Sequence, residues 1–163
     1  MGVVVSDRMT LTRILDARRT KGDRIVSTNG VFDLLHVGHT RYLQAARRLG
    51  DLLVVGINTD AAVRRLKGCD RPFVSEDERA ELIAALGCVD YVTLFSEATP
   101  VALLESIRPD IHTKGGDYEP SSLPETEVVQ RGGGKVVTLP FSAGRSTSTL
   151  IGRIRAVPNR SNP

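Results

Sequence analysis

Short apolar segments alternate with amphipathic ones along most of the chain, and this alternation limits the folds that the chain can adopt. Runs rich in β-branched and other apolar residues predict five strands, at 24–28, 51–58, 89–95, 109–113 and 135–141. The second of these, DLLVVGIN, is almost wholly apolar, as expected for a parallel strand whose sheet is covered on both faces.

Helices are predicted between these strands and at both ends, because apolar residues recur there at the spacing of one helix face. They lie at 10–19, 38–50, 59–68, 75–87, 99–107 and 146–157. Gly50 occupies a position at which helices commonly stop. Repeated strand–helix units predict the α/β class, as a Rossmann-like, doubly wound parallel sheet of five strands with helices on both faces.

The size of the chain fits one globular domain. It has 163 residues, of which 40% are hydrophobic and 25% are charged. We expect a helical extension at residues 1–23, the main domain at 24–157 and a flexible tail at 158–163.

The charge pattern argues against a nucleic-acid partner. Lys and Arg number 22 against 19 Asp and Glu, the basic residues are scattered, and only 4% of residues are aromatic. Grooves for single strands usually combine basic side chains with stacking aromatic ones. We therefore expect small-molecule partners and no nucleic acid.

Cysteine usage and the N-terminal residues favour a cytoplasmic protein. Cys69 and Cys88 cannot form a disulfide framework for a domain of this size, so reduced thiols are expected. The first residues lack the apolar run of a signal peptide, and no segment is long enough to span a membrane. No membrane partner is expected.

Four polar segments follow predicted strands, at 28–39, 56–60, 113–118 and 141–148. In doubly wound sheets, ligands bind outside the carboxyl ends of the strands, near the point where the strand order reverses. We therefore expect these segments to converge on one cleft.

Two histidines three residues apart, His36 and His39, stand between a predicted strand and a predicted helix. They could be metal ligands completed by His112, Cys69 or a carboxylate, but no recognisable set of three or four ligands is evident. They could instead only tie down a tight turn. Placement at a helix N-terminus favours a third interpretation, phosphate binding, with Gly38 allowing close approach to the backbone.

Other segments supply groups for anions and nucleotides. Asn29 and Gly30 predict a sharp turn without a Cβ that would obstruct a nucleotide, and Asp33 is expected to order the loop through backbone bonds. The stretches KGGDY (114–118) and GRSTST (144–149) resemble loops that bind phosphate or sugar, although an exposed turn and a simple helix cap are the plain alternatives.

Neither a phosphate-binding loop ending in Gly-Lys-Ser/Thr nor a Ser-His-Asp or Cys-His arrangement can be assigned in this sequence. Several anion sites without a nucleophile fit direct in-line transfer, in which the substrate brings its own nucleophile.

The stretch NGVFDLLHVGH (29–39) resembles the His-x-Gly-His motif of the cytidylyltransferase-like nucleotidyltransferase superfamily. Together with LGDLLVVGINTDAAVRRLKG, RPF, PDIHTKGGDY and GRSTST, it resembles the D-glycero-β-D-manno-heptose 1-phosphate adenylyltransferases, from roughly residue 24 to 157. That activity often accompanies a sugar kinase in a bifunctional protein. No kinase domain fits in this length, so we expect a stand-alone form.

This resemblance implies that ATP and the heptose phosphate give ADP-heptose and pyrophosphate, with Mg²⁺ held through the nucleotide phosphates. It implies that His36, His39 and Lys67 are catalytic. The implied nucleotide-binding residues are Thr28, Asn29, Gly30, Phe32, Asp33, Gly38, Asp60, Gly144, Arg145, Ser146 and Thr147. The implied substrate-binding residues are Arg71, Lys114, Gly115, Gly116 and Asp117. The resemblance assigns no metal ligand from the protein and implies a homo-oligomer, a dimer or larger.

Two alternatives remain at this point. The first keeps the chemistry but transfers a cytidylyl group to glycerol 3-phosphate or another polyol or sugar phosphate. Glycerol-3-phosphate cytidylyltransferases typically carry an arginine where this chain has Phe141, which favours the heptose enzymes. The second is a module that binds nucleotides or nucleic acid without catalysis.

Overall fold

The computed structural model describes residues 1–116, 123–140 and 147–157. Within them the strands are β1 (Val3–Val4), β2 (Ile25–Gly30), β3 (Leu52–Asn58), β4 (Tyr91–Phe95), β5 (Ile111–Gly115) and β6 (Lys135–Leu139). The helices are α1 (Arg8–Arg19), α2 (Val37–Arg47), α3 (Asp60–Lys67), α4 (Glu76–Ala84), α5 (Val101–Ile107), α6 (Thr126–Arg131) and α7 (Thr147–Arg155). The tail expected at residues 158–163 lies outside the described residues.

The described strands form one parallel sheet in the order β1-β4-β3-β2-β5-β6. This confirms the predicted α/β class and doubly wound sheet, and β2 to β6 are the five predicted strands. The sheet has a sixth strand, β1, which pairs with β4 at one edge. A pair of valines is too short for periodicity to identify as a strand, which is why the sequence did not reveal it.

The direction of chain growth reverses beside β2. From β2 the chain adds β3 and then β4 on one side, and it then crosses to place β5 on the other side of β2. The carboxyl ends of β2 and β5 therefore flank the switch point, which is where open α/β sheets bind ligands.

Alternate residues of β3 pack into opposite layers, as the twofold periodicity of a strand requires. Leu53, Val55 and Ile57 face a core formed with α2 and α4. Leu52 and Val54 face a second core, which contains apolar side chains of α1 and α5. All seven residues of β3 are buried, so the nearly continuous apolar composition of this strand reflects cover on both faces.

The N-terminal segment packs on the same sheet as the rest of the chain. Leu11 and Leu15 of α1 are buried against Ile25 of β2 and Ile107 of α5. Helix α6, which the sequence pattern did not predict, packs Val128 and Val129 against α5. None of the described helices combines the length and the apolar composition that crossing a bilayer demands.

Gly50 has a role that differs from a helix stop. Helix α2 ends at Arg47 and is capped by Arg48, before Gly50 is reached. A Cβ at position 50 would lie 2.7 Å from the Arg24 carbonyl oxygen and 2.7 Å from Cγ2 of Val26. Glycine is therefore required because the chain passes close to the start of β2 as it turns into β3.

Candidate active site

The histidine pair closes the first turn of α2. His36 is the N-cap residue, and its Nδ1 accepts a hydrogen bond from the Gly38 N–H at 3.1 Å. The His36 N–H in turn donates to Nδ1 of His39 at 3.3 Å. This reciprocal arrangement is a capping box in which both side chains are imidazoles.

These two bonds settle the tautomer of each ring. A nitrogen that accepts a hydrogen bond carries no proton, so the proton of each neutral imidazole resides on Nε2. The same contacts that tie down the turn therefore leave each ring with an N–H donor at its outer nitrogen. Turn stabilisation and anion binding, set apart as alternatives above, are compatible in this geometry.

The two rings stack on each other, with centroids 4.0 Å apart and planes 22° apart. The ring of Phe32 packs edge-on against His39 at 5.5 Å, from a backbone with φ of +50°. Burial, and secondarily the neighbouring His36, lowers the pKa of His39 to about 4. His39 is therefore neutral near pH 7 and acts as a hydrogen-bond donor rather than as a cation.

Asp33 is almost fully buried and binds the loop that precedes α4. Its Oδ2 accepts from Nε of Arg71 at 2.6 Å, and its Oδ1 accepts from the backbone N–H groups of Phe73 and Val74 at 2.8 and 3.0 Å. Asp33 does order a loop through backbone bonds, but the loop lies about 40 residues further along the chain. Arg71 also stacks over Phe73, 4.9 Å from the ring centroid.

Arg79 of α4 is fully buried and joins two loops and the start of α3 at the carboxyl edge of the sheet. Its Nη1 donates to the Val31 carbonyl at 2.6 Å, and its Nε donates to the Val74 carbonyl at 3.0 Å. Its Nη2 pairs with Oδ1 of Asp60 at 2.7 Å. Asp60, predicted to bind nucleotide, anchors the start of α3 to this guanidinium through Oδ1.

A network of hydroxyl groups joins β2, α2 and β5. Thr28 Oγ1 lies 2.7 Å from the Tyr42 hydroxyl and donates to the Thr113 carbonyl at 3.1 Å. The Tyr42 hydroxyl also donates to Thr113 Oγ1 at 3.0 Å. Burial raises the pKa of Tyr42, which keeps the phenol protonated. Thr28 thus links β2, α2 and β5, and its hydroxyl is engaged inside the protein.

Lys114 crosses the switch point from β5 to β2. Its Nζ donates to Oδ1 of Asn29 at 3.1 Å and lies 2.6 Å from Oε1 of Glu125. Glu125 is the N-cap residue of α6 and is only 2% exposed. The structure therefore brings together two residues predicted for different roles, Asn29 for the nucleotide and Lys114 for the substrate.

The described parts of the remaining predicted segments also reach this edge. Gly30 ends β2, and a Cβ there would lie 3.0 Å from the Phe32 ring. The N–H of Gly116, after β5, donates to the Leu139 carbonyl at 2.9 Å, and Gly115 pairs with Leu139. Thr147 Oγ1 lies 3.5 Å from the Leu34 carbonyl, which brings α7 to the loop before the histidines. Asp117, Gly144, Arg145 and Ser146 lie outside the described residues.

Two further predicted residues have these surroundings. Lys67 is exposed in the last turn of α3, and no hydrogen bond or ion pair of the described residues joins it to either histidine. The Gly38 N–H donates to Nδ1 of His36. The roles expected of both residues stay predictions.

The described residues hold no cluster of three or more His, Cys, Asp or Glu side chains suited to a metal ion. His112, considered above as a third ligand for the histidine pair, is buried inside β5, where its Nδ1 lies 2.8 Å from the Ser27 hydroxyl. Cys69 is exposed and unpaired.

Sequence reasoning missed Arg79, Tyr42 and Glu125. Arg79 falls within a charged run, ERAE, and only its place on the buried face of α4 distinguishes it. Tyr42 lies on the apolar face of α2. A tyrosine hydroxyl on such a face usually has a hydrogen-bond partner inside the protein, and here the partner is Thr28. Glu125 carries no local signal, because the residues it approaches, Lys114 and His112, come from β5.

The family model described as cytidylyltransferase-like matches residues 27–132 of this chain. The matched range includes the histidine pair, Arg79 and the Lys114–Glu125 ion pair.

Curated relatives are about half identical to this chain over the aligned residues. It is 52% identical over 150 residues to a protein named bifunctional protein HldE from Trichlorobacter lovleyi, a match that covers 92% of this chain and 30% of that protein. The chain thus spans 30% of the length of that relative. It is 55% identical over 132 residues to a D-beta-D-heptose 1-phosphate adenylyltransferase from Bordetella bronchiseptica, covering 80% of this chain and 82% of that protein.

Solved structures share the fold. A lipopolysaccharide core biosynthesis protein from Thermoplasma volcanium superposes with a TM-score of 0.62 at 31% identity, covering 74% of this chain and 98% of that one. A pantoate-beta-alanine ligase from Francisella tularensis, solved with a β,γ-ATP compound and β-alanine, superposes with a TM-score of 0.60 over 91% of this chain and 69% of that one. At 13% identity, the second match shows the fold alone.

Replacing Arg79 with Met tests how much its guanidinium stabilises the segments that it joins. The variant leaves Asp60 and two loop carbonyls without their buried donor, so the free energy of unfolding should fall by about 3–5 kcal/mol. Urea denaturation measures the change. Arg131→Met, which removes an exposed pair with Glu105, is the matched control and should change stability by less than about 1 kcal/mol. Equal effects of the two variants would contradict the assigned role.

The lowered pKa of His39 gives stability a defined pH dependence. Below about pH 6.5 the unfolded chain takes up a proton that folded His39 accepts only near pH 4, so acidification through that window favours unfolding. His112, whose pKa burial lowers to about 3, acts in the same direction. The free energy of unfolding should therefore fall less steeply between about pH 6.5 and 4 in His39→Gln than in the wild type. Identical slopes would show that His39 titrates normally in the folded protein.

Proposed function

This chain belongs to the cytidylyltransferase-like family, and on that premise we propose that it joins ATP and D-glycero-β-D-manno-heptose 1-phosphate to give ADP-heptose and pyrophosphate. The Bordetella bronchiseptica relative, named for that heptose phosphate and aligned over most of both chains, supports the choice of substrates. The chain covers only part of the bifunctional relatives, so no activity of their remaining length is proposed for it.

The observation that carries the proposal is the pair of stacked imidazoles whose Nδ1 atoms are both engaged by backbone N–H groups. In each ring the proton then lies on Nε2, at the N-terminus of an 11-residue helix, beside the switch point of the sheet. Helix N-termini favour anions through their free N–H groups and the helix dipole. His39, whose pKa burial lowers to about 4, adds a preorganised neutral donor to that field without the desolvation cost of a buried cation.

The reaction needs no base or nucleophile from the protein. An oxygen of the sugar phosphate, already ionised near neutral pH, attacks the α-phosphorus of ATP. The new P–O bond forms as the bond from the α-phosphorus to the oxygen bridging it to the β-phosphate breaks, and pyrophosphate leaves with that electron pair. The catalytic contribution of His36 and His39 is to position the α-phosphate and to donate to oxygens on which negative charge increases.

The other predicted residues divide into direct and indirect groups in this proposal. Asn29, Gly30 and Phe32, at and just after the end of β2, form the nucleotide side of the cleft. Asp33 and Asp60 act indirectly, because their carboxylates are bonded to Arg71 and Arg79. Their role is to fix the loops on which contact residues stand.

Three further assignments rest on the family resemblance. We assign Lys67 to the leaving group, Ser146 and Thr147 to the nucleotide phosphates, and Thr28, Gly38, Gly144 and Arg145 to the nucleotide site, where Thr28 acts through its bonds to Tyr42 and Thr113. Arg71, Lys114, Gly115, Gly116 and Asp117 are assigned to the sugar phosphate side. The approach of Thr147 to Leu34 supports the placement of the last helix beside the histidine loop.

Mg²⁺ enters this proposal bound to ATP. The described carboxylates nearest the histidine loop, Asp33 and Asp60, are already paired with arginines and are not grouped as a metal site. The protein residues therefore fit an ion carried by phosphate oxygens. When bound, Mg²⁺ neutralises charge on the phosphates that leave.

We also place the protein in the cytoplasm, where ATP is abundant and free thiols such as Cys69 and Cys88 remain reduced.

We further propose that it forms a homo-oligomer through the β1 edge of the sheet, where Val3 and Val4 are exposed apolar side chains. Sedimentation analysis should then give a dimer or larger species for the wild type and a smaller one for Val3→Lys. A monomeric wild type would contradict this arrangement.

The histidine roles are tested by variants that remove the Nε2–H donor. His36→Ser keeps a favoured N-cap acceptor, and His39→Ala removes the second ring, so neither new side chain reaches the position of Nε2. Each should lower the rate of pyrophosphate release from ATP and the heptose phosphate by about 10²–10³-fold, with little change in melting temperature.

Arg41→Ala, on the exposed side of the same helix, is the control and should retain the wild-type rate. Rates unchanged in both histidine variants would contradict the assigned roles. A matrix of ATP and CTP against the heptose phosphate and glycerol 3-phosphate tests the substrates, and a preference for CTP would favour the cytidylyl alternative. Nucleotide binding without pyrophosphate release from any acceptor would identify a non-catalytic module.

A further inference from the structure

We propose that Glu125 is a positioning residue for the nucleotide: acting through Lys114, it holds the side-chain amide of Asn29 with its two N–H donors toward the cleft. The inference rests on the proposed function, because it assigns a nucleotide to that cleft. Glu125 lies on α6, outside the motifs that the sequence suggested for the site.

Helix capping does not explain why Glu125 is buried. It occupies the N-cap position of α6, yet its side chain caps no backbone N–H of that helix. The residue is 2% exposed, and its Oε1 lies 2.6 Å from Nζ of Lys114. A carboxylate is costly to bury unless it is paired, so the position of Glu125 is explained by Lys114 rather than by helix capping.

Lys114, held by Glu125, in turn fixes the side chain of Asn29 near the end of β2. Its Nζ also donates to Oδ1 of Asn29 at 3.1 Å. An ammonium group has donors only, so it holds the carbonyl end of the Asn29 amide and leaves the NH₂ end on the opposite side. Asn29 stands at the switch point, where that NH₂ group can meet acceptor atoms of a nucleotide, its phosphate oxygens included.

The surroundings of Lys114 make Glu125 its counter-charge. His112 lies two residues before Lys114 in β5 and is fully buried. Its Nδ1 lies 2.8 Å from the Ser27 hydroxyl, and its Nε2 lies 4.0 Å from Glu125 Oε1. Burial, and secondarily Lys114, lowers the pKa of His112 to about 3, so this ring is neutral. Within the described residues, Glu125 is the carboxylate that pairs with Lys114.

This arrangement gives Lys114 a role different from a direct contact with the phosphates of ATP. An ammonium group already held by a buried carboxylate and an amide oxygen has its charge largely neutralised. If Lys114 instead bound phosphate directly, Glu125 would compete with the ligand, and its removal would strengthen ATP binding. The two roles therefore predict opposite signs for the same substitution.

The experiment is a double-mutant cycle on ATP binding, measured by calorimetry with Mg²⁺ present and no acceptor. Glu125→Gln should weaken ATP binding about tenfold in the wild-type background, since hydrogen bonds to charged groups have effects of that size. The same substitution should cause no further loss in the Lys114→Met background, because Glu125 acts only through Lys114. A merely structural role would lower affinity in both backgrounds.

Glu105→Gln is the matched control. It removes the same charge from an exposed pair with Arg131 and should leave ATP affinity unchanged. Circular dichroism checks that each variant is folded. If Glu125→Gln does not fold, Glu125→Asp makes the same comparison, because it keeps the charge but withdraws it from Lys114.

The outcomes separate the inference from the proposed function. Wild-type pyrophosphate release together with unchanged or tighter ATP binding in the Glu125 variant would overturn the inference alone. Equal losses in both backgrounds would also overturn it. A wild type that neither binds ATP nor releases pyrophosphate from any acceptor would overturn the proposed function, and this inference with it.

Discussion

The buried guanidinium of Arg79 is the interaction on which the geometry of the cleft depends. It bonds to a carbonyl of the loop after β2, to a carbonyl of the loop before α4 and to the carboxylate that begins α3. A charged group with no exposed surface is tolerated only when its donors are satisfied, so each of these loops is restrained by the same requirement. Because the loop after β2 leads directly into the histidines, restraint at Val31 also limits where His36 can lie.

The histidine turn combines folding and chemistry in the same bonds. Backbone N–H groups at the start of α2 need acceptors, and the two Nδ1 atoms supply them. That engagement sets the proton on Nε2, while burial and stacking keep His39 neutral. A turn containing Ser or Asp in these places would cap the helix equally well but would present no such donors. In the proposed function the residue type is explained by the ligand, whereas the position of the histidines is explained by the helix.

Part of the candidate site could be predicted from sequence because its members are close together in the chain. His36, Gly38 and His39 are read from three-residue spacing and from the strand and helix on either side. The partners of the predicted charged residues could not be read in this way, since Asp33 binds residues about 40 positions away and Lys114 reaches Asn29 across 85. The structure shows Asp33 and Asp60, both predicted at the nucleotide, bonded to Arg71 and Arg79. Glu125 is identified only through its contacts.

The sequence by itself determined the strand–helix alternation, the five longer strands, the parallel α/β class and the histidine turn, because these follow from local periodicity and local capping. Only the tertiary structure decided the order β1-β4-β3-β2-β5-β6, which places the switch point between β2 and β5. It also revealed β1 and α6, whose two and six residues are too short to show a period. The physical reason is that the pairing of buried charges depends on which strands become neighbours, and that is settled by packing of the whole chain rather than by any one segment.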